Sequence, residues 1–183
     1  GAAAASVAEL AALGQSLVER LSHDGWQVNA TVERSAGTVR VANTRGAEVT
    51  YEVTAVSLAA EVTRVSGDDI LMVGDYYAAT DLPGEPVLAT LAESIRRRVG
   101  WADRPVAPPR GALPVLFTPA GSTALFLPLR QACLGKAVLQ GVSPLGGRVG
   151  ERAFDPRLTL TDDPWVPGAS GSRPIDDEGV PTR

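Results

Sequence analysis

Between Ser6 and Ser22 the apolar residues Val7, Leu10, Leu17 and Leu21 recur at helical spacing, and Asp24-Gly25 supplies a stop. The pattern predicts one amphipathic helix with those four residues inward. The period then shortens to two. Val28, Ala30 and Val32 alternate with Asn29, Thr31 and Glu33, and Thr38–Ala42 repeats the alternation after a turn expected at Ala36-Gly37. Asn43-Thr44-Arg45-Gly46 marks a second turn, which leads into AEVTYEVTAVSLAAEVTRV. In that stretch the apolar residues are first odd-numbered (Val49, Tyr51, Val53) and then even-numbered (Val56, Leu58, Ala60, Val62). A strand of nearly twenty residues would run on the order of 60 Å, so we expect a β-bulge or break near Thr54-Ala55 that restores the inward face. Ser66-Gly67-Asp68-Asp69 turns the chain into a further strand, ILMVGDYYA.

Helical spacing returns from Glu85 to Val99, with Val87, Leu88, Leu91 and Ile95 inward and Arg96, Arg97 and Arg98 in the last turn, where cations suit the helix dipole. Pro105, Pro108, Pro109 and Pro114 follow closely and read as a boundary. Beyond them come a strand-like run, Leu113–Phe117, an apolar helix over 120–134, the Gly-rich GVSPLGGRVGERAFD, a strand-like RLTLTDD and a turn-rich end. The fold class is therefore α+β: a helix, an antiparallel meander containing a long bulged strand and a second helix, then the start of a second α/β domain. The expected division is 1–100 as an α+β domain, 101–112 as a linker and 113–183 as an incomplete domain. Gly1 reads as an addition, and the chain as a piece of something longer.

Composition narrows the chemistry. Among 183 residues 44% are hydrophobic, and the net charge is −4 with a pI near 5.0. That balance argues against general nucleic-acid binding, which needs many cationic phosphate contacts. Lys136 is the single lysine among arginines, which suggests a GC-rich bacterial genome. No apolar run approaches the roughly 20 residues that span a bilayer, and the Ala-rich start lacks the basic flank of a secretion signal. A soluble cytoplasmic protein with no membrane or nucleic-acid partner is expected.

Candidate chemical groups are few. His23 is the sole imidazole, at a helix end, which excludes a multi-His metal site or a triad built from this chain. Cys133 is the sole cysteine, with no histidine near it in sequence, and reads as a small buried hydrophobe. Gly67-Asp68-Asp69 reads as a hairpin turn; Gly135-Lys136 and the Gly146–Gly150 run lack the context of a phosphate loop. The Asp162-Asp163 pair and Asp176-Asp177-Glu178 offer oxygen ligands for a hard cation, but read better as turn caps or contacts to a partner's or peptide's amides. The strand-to-helix junction at Thr118-Pro119 has the form of an active-site turn, yet supplies only Thr118, Ser122 and Thr123.

Taken together, VLFTP, the helix ending ACLGKAV, SPLGGRVGE, LTLTDDP and GSRPIDDEGVPTR resemble the TldD/PmbA family ("modulator of DNA gyrase"). VANTRGAEVTYEVTAVSLAAEV resembles the hairpin of that family's amino-terminal domain. The resemblance covers most of 28–183 and only the middle of a family member. It implies a metalloprotease-related protein: the TldD-type subunit carries His-Glu-x-x-x-His at this junction, two zinc ligands and a Glu that activates water. Laid on this chain, Thr118 and Thr123 take the His positions and Pro119 the Glu position. The resemblance therefore implies the PmbA/TldE type, with no catalytic or metal residues of its own. It further implies zinc only in a motif-bearing partner, and a heteromer with a TldD-type paralogue, or a self-association, that acts on unfolded peptides or peptide precursors. An extended peptide adding to a sheet edge is one mode, and 47–65 is the strand expected to offer it. Two alternatives are a stand-alone peptide-binding or scaffold module, and an atypical hydrolase with ligands beyond Arg183.

Overall fold

The computed structural model describes residues 2–183; Gly1, read above as an addition, lies outside them. After a short 3₁₀ turn at Ala2–Ala4, the elements are helix α1 (Val7–Leu21), strands β1 (Trp26–Ala42), β2 (Glu48–Ser66) and β3 (Asp69–Ala79), then helices α2 (Glu85–Ala102), α3 (Thr123–Cys133) and α4 (Gly135–Leu139). The three strands form one antiparallel sheet in the order β1-β2-β3. The α+β arrangement follows the hydrophobic pattern. Contacts divide the chain into two units: one runs to Val106 and takes in Asp163–Arg183, the other is Ala107–Asp162.

Helix α1 starts where it does because Ser6 and Glu9 satisfy each other's backbone. The Ser6 hydroxyl accepts from the Glu9 amide at 3.2 Å, and the Glu9 carboxylate accepts from the Ser6 amide at 2.7 Å. Leu17 and Leu21 are fully buried and Leu10 half-buried, but Val7, expected inward, is 83% exposed. At that end Ala2 and Ala5 are the buried residues, so the turn preceding the helix occupies the place the first helical turn would cover. Midway, Gly14 lets helix and strand approach: a Cβ there would lie 3.3 Å from Val32 Cγ2.

Leu17 and Leu21 join Leu58, Ala60 and Val62 of β2 and Leu88, Leu91, Ala92, Ile95 and Val99 of α2 in one core. Both helices thus cover one face of the three-stranded part of the sheet. Helix α2 is also pinned through polar groups. Asp75 on β3 accepts from Ser94 Oγ at 2.6 Å and pairs with Arg98 at 3.1 Å, while Arg98 donates to Gly74 O at 2.6 Å. The helix runs on to Ala102, so Arg96–Arg98 do not lie in its last turn. Arg96 donates to the carbonyl of Arg20 at the end of α1, and Arg97 stacks 5.8 Å from the Trp101 ring.

Two expectations about the long strands fail for one reason. The turn at Ala36-Gly37 is absent: Gly37 pairs with Val53 inside a ladder that runs without a slip from Trp26↔Arg64 to Ala42↔Glu48. The bulge in β2 is absent too, since its pairing with β3 is continuous from Val56↔Ala79 to Ser66↔Asp69. What changes along the strands is the face that is covered. Val28, Ala30 and Val32 with Val56, Leu58, Ala60 and Val62 face the helices, whereas farther out Val39, Val41, Val49 and Tyr51 are half-buried on the opposite face. Both strands switch at the same level, across the exposed residues 33–38 of β1. No residue has to be inserted to restore a common inward side. Consequently β2 is bonded on both sides over 56–66, and only 48–55 leaves an open edge, a smaller edge than the 47–65 expected.

The turns match their chemistry. Asn43 Oδ1 accepts from the amides of Arg45 and Ala47, and Gly46 takes a φ of +85°. Gly67, with φ +61°, precedes Asp68 in a two-residue hairpin whose second residue has negative φ, the signature of a type II′ turn.

In the second unit the strand-like runs form no ladder among the described residues. Leu113–Phe117 and Leu158–Leu160 are extended and exposed, Leu116 at 95%. Their apolar residues need a facing strand to become a sheet, and among the described residues none pairs with them.

Candidate functional site

The junction at 113–123 is the place to build upward from. The extended segment ends at Thr118, and 118–122 close into a turn before α3 begins at Thr123. The Ser122 amide donates to Thr118 O at 2.8 Å, the Gly121 amide to Thr118 Oγ1 at 3.1 Å, and Ser122 Oγ to Pro119 O at 2.6 Å. A Cβ on Gly121 would sit 3.2 Å from Thr118 Oγ1, so the turn is closed tightly. The Thr118 and Ser122 hydroxyls are spent on the turn's own backbone. Thr118 and Thr123 are neutral oxygen donors, and Pro119 has no side-chain acid or base. These residues do not fit a zinc ion, and nothing adjacent would activate a hydroxyl as a nucleophile. Among the described residues no group of three or more His, Cys, Asp or Glu side chains comes together as metal ligands would.

Cys133 is exposed rather than buried. It is the last residue of α3, whose one buried residue is Ala132; the helix has only α4 and extended chain around it, too little to bury a second side. The thiol lines an open cavity of about 450 Å³ with Phe126, Arg130, Leu160 and Asp162. Sequence reasoning did not bring Cys133 and Asp162 together. The acidic pair is divided, since Asp163 accepts from the Trp165 amide at 2.8 Å as a turn cap.

The other candidates are local. His23 stacks on Trp26 at 4.8 Å between ring centres, with Nδ1 2.8 Å from Asp24 O, beyond the end of α1. Gly67-Asp68-Asp69 is a hairpin turn. Lys136 lies in the five-residue α4, and Gly147 and Gly150 shape successive turns, where Arg148 pairs with Glu151 at 2.9 Å. The Asp155 carboxyl is held below the usual carboxylate range by the guanidinium and amide of Arg157, in an exposed turn.

Of the acidic run near the end, Asp176 is occupied: its carboxylate accepts from the amides of Glu178 and Val180. Asp177 meets Arg173 at 3.4 Å with its side chain 95% exposed, and Glu178 is exposed. The Asp75–Ser94–Arg98 network was missed; an acid on the inner face of a strand was its one trace in the sequence.

A chain with this fold and so plain a junction can be set beside known proteins. A model described as the PmbA/TldA metallopeptidase central domain matches residues 2–102, where the resemblance pointed to an amino-terminal domain. A second, the PmbA/TldA metallopeptidase C-terminal domain, matches 110–183. TldE from Thermococcus kodakarensis has the same fold, with a TM-score of 0.78 and 27% identity over 94% of this chain and 39% of that one. A candidate modulator of DNA gyrase from Bacteroides thetaiotaomicron gives 0.77 at 22% identity, over 99% of this chain and 42% of the other. The chain thus spans about two fifths of the length of either. No curated protein matches it. With the central-domain model alone covering more than half of its residues, the chain belongs to the TldD/PmbA metallopeptidase family.

Proposed function

We propose that the chain belongs to a non-catalytic, TldE-type subunit that assembles with a zinc-bearing TldD-type paralogue and helps to hold unfolded peptides or peptide precursors. The observation that carries this reading is the junction itself. At the positions where the peptidase motif would stand, Thr118 and Pro119 sit in a turn whose Thr118 hydroxyl and Pro119 carbonyl bond within it, and Thr123 opens the following helix. The likeness to the TldE of Thermococcus kodakarensis supports the same subunit type.

In this reading the zinc, the activated water and peptide cleavage belong to the paralogue. This chain contributes backbone and shape. The open edge of β2 at 48–55 presents main-chain donors and acceptors to an extended peptide, a mode that tolerates many sequences because side chains are not read. The division at the proline-rich 101–112 separates a sheet-bearing part from the part that carries the junction.

Co-expression with a paralogue bearing His-Glu-x-x-x-His tests the assignment. The pair should co-purify and hydrolyse an unfolded peptide, and Thr118→Ala with Thr123→Ala should leave the rate unchanged. Failure of the two chains to associate, or hydrolysis by this chain alone, would contradict it.

A further inference from the structure

The outer halves of β1 and β2 form a two-stranded ribbon that extends beyond β3, and an isolated two-stranded hairpin is marginally stable in water. Residues from the end of the chain meet the sheet region at two places, of which the second is on the ribbon. Just after β3, the Thr80 amide donates to Gly168 O at 2.9 Å. At the ribbon's tip, Gly179 lies against Val41, Asn43 and Ala47.

The two turns that meet at the tip are built alike. The Asn43 amide donates to Ala47 O at 3.0 Å, and Asn43 Oδ1 accepts from the amides of Arg45 at 2.9 Å and Ala47 at 3.1 Å. The Asp176 amide donates to Val180 O at 2.9 Å, and Asp176 Oδ1 accepts from the amides of Glu178 at 2.9 Å and Val180 at 2.8 Å. Three residues after each comes a glycine in the left-handed region, Gly46 at φ +85° and Gly179 at +83°. The second turn is stiffened at its base: Ile175 bridges to Pro181 and is buried, the Thr182 amide donates to Pro174 O, and Thr182 Oγ1 donates to Arg173 O at 2.6 Å. Ile175 stands outside the helix-side core. Its burial therefore belongs to a second, smaller contact.

We infer that residues 163–183 are a clasp that fastens the β1–β2 ribbon, closing by the docking of the Asp176–Val180 turn onto the Asn43–Ala47 turn. Closed, it packs the ribbon's tip at Val41, Asn43 and Ala47; released, it leaves that tip to solvent, while the 48–55 edge stays unpaired in either state. The clasp is reversible because its contacts are few and its stiffness comes from bonds within its own turn.

Hydrogen exchange on the full chain tests this, comparing the native protein with Asp176→Ala and Gly179→Val. The first removes the oxygen that organises the turn, and the second places a β-branched residue at a left-handed φ. Amides of 38–42 and 48–54 should exchange at least about tenfold faster in both variants, while 58–64 and 88–99 keep their protection as the internal record that the fold is intact. Unchanged exchange in the ribbon while 168–182 becomes unprotected would overturn the inference. So would a loss of protection spread equally over the ribbon and 58–64.

Discussion

Leu58→Ala is the sharpest perturbation of the fold. Leu58 is fully buried in the central strand, with Val32 and Tyr77 as its ladder partners and the α1 and α2 leucines above it. The substitution removes three carbons, about 2.4 kcal/mol at roughly 0.8 kcal/mol per methylene. Three well-packed strands and two helices cannot collapse fully into the gap, which raises the cost to about 3 to 4 kcal/mol. In urea, with a slope of about 2 kcal/mol/M, the midpoint should fall by about 1.5 to 2 M, read by far-ultraviolet circular dichroism. Val65→Ala is the control: it lies near the end of the same strand, 62% exposed, and should change stability by no more than about 0.5 kcal/mol. Equal effects of the two, or a Leu58→Ala cost below about 1 kcal/mol, would refute the assignment of the even-numbered face to the core.

Gly67→Val should cost about 1 to 2 kcal/mol, because φ +61° is penalised in a residue with a Cβ; a thermal melt with no shift would count against the type II′ turn. The Glu9 carboxyl is held below its usual value by the Ser6 amide and then the Ser6 hydroxyl. A depressed folded value means that the cap's contribution is full above the ordinary glutamate value near 4.5 and is lost as pH falls through the folded one. Titration of Glu9 by nuclear magnetic resonance should show a partial rise in Ser6→Ala, which removes the hydroxyl but keeps the Ser6 amide. Cys133 should react stoichiometrically with a disulfide reagent in the native protein; reaction only after denaturant would place it back in a core.

The sequence told much about helices and turns and less about which face of a strand is covered. Ser6 and Glu9, Gly67-Asp68 and Asn43 with Gly46 act within a few residues, so their structure is written locally. The change from Val53 to Val56 is different. A shift of parity can mean an inserted residue or a change of packing, and the neighbour at the ribbon's tip is Gly179, far along the chain. Ala36-Gly37 misled for the same reason: small residues mark the level where neither face is packed, which in sequence looks like a turn. The signal for the distant contact was present as two matching stretches, Asn43-Thr44-Arg45-Gly46 and Asp176-Asp177-Glu178-Gly179, read separately. In 107–162 the apolar run Leu113–Phe117 and the alternating Leu158–Leu160 are a demand for partner strands that these residues do not themselves meet. At the junction, by contrast, the local residues Thr118, Pro119 and Thr123 are read directly from the sequence, because the turn is built from its own neighbours.

Zinc content, by elemental mass spectrometry of the full-length protein with and without a co-expressed TldD-type partner, tests the central claim most directly. The protein alone should carry no stoichiometric zinc and the complex about one ion per motif-bearing chain, the count a single catalytic site requires. Stoichiometric zinc in this protein by itself would contradict the non-catalytic assignment.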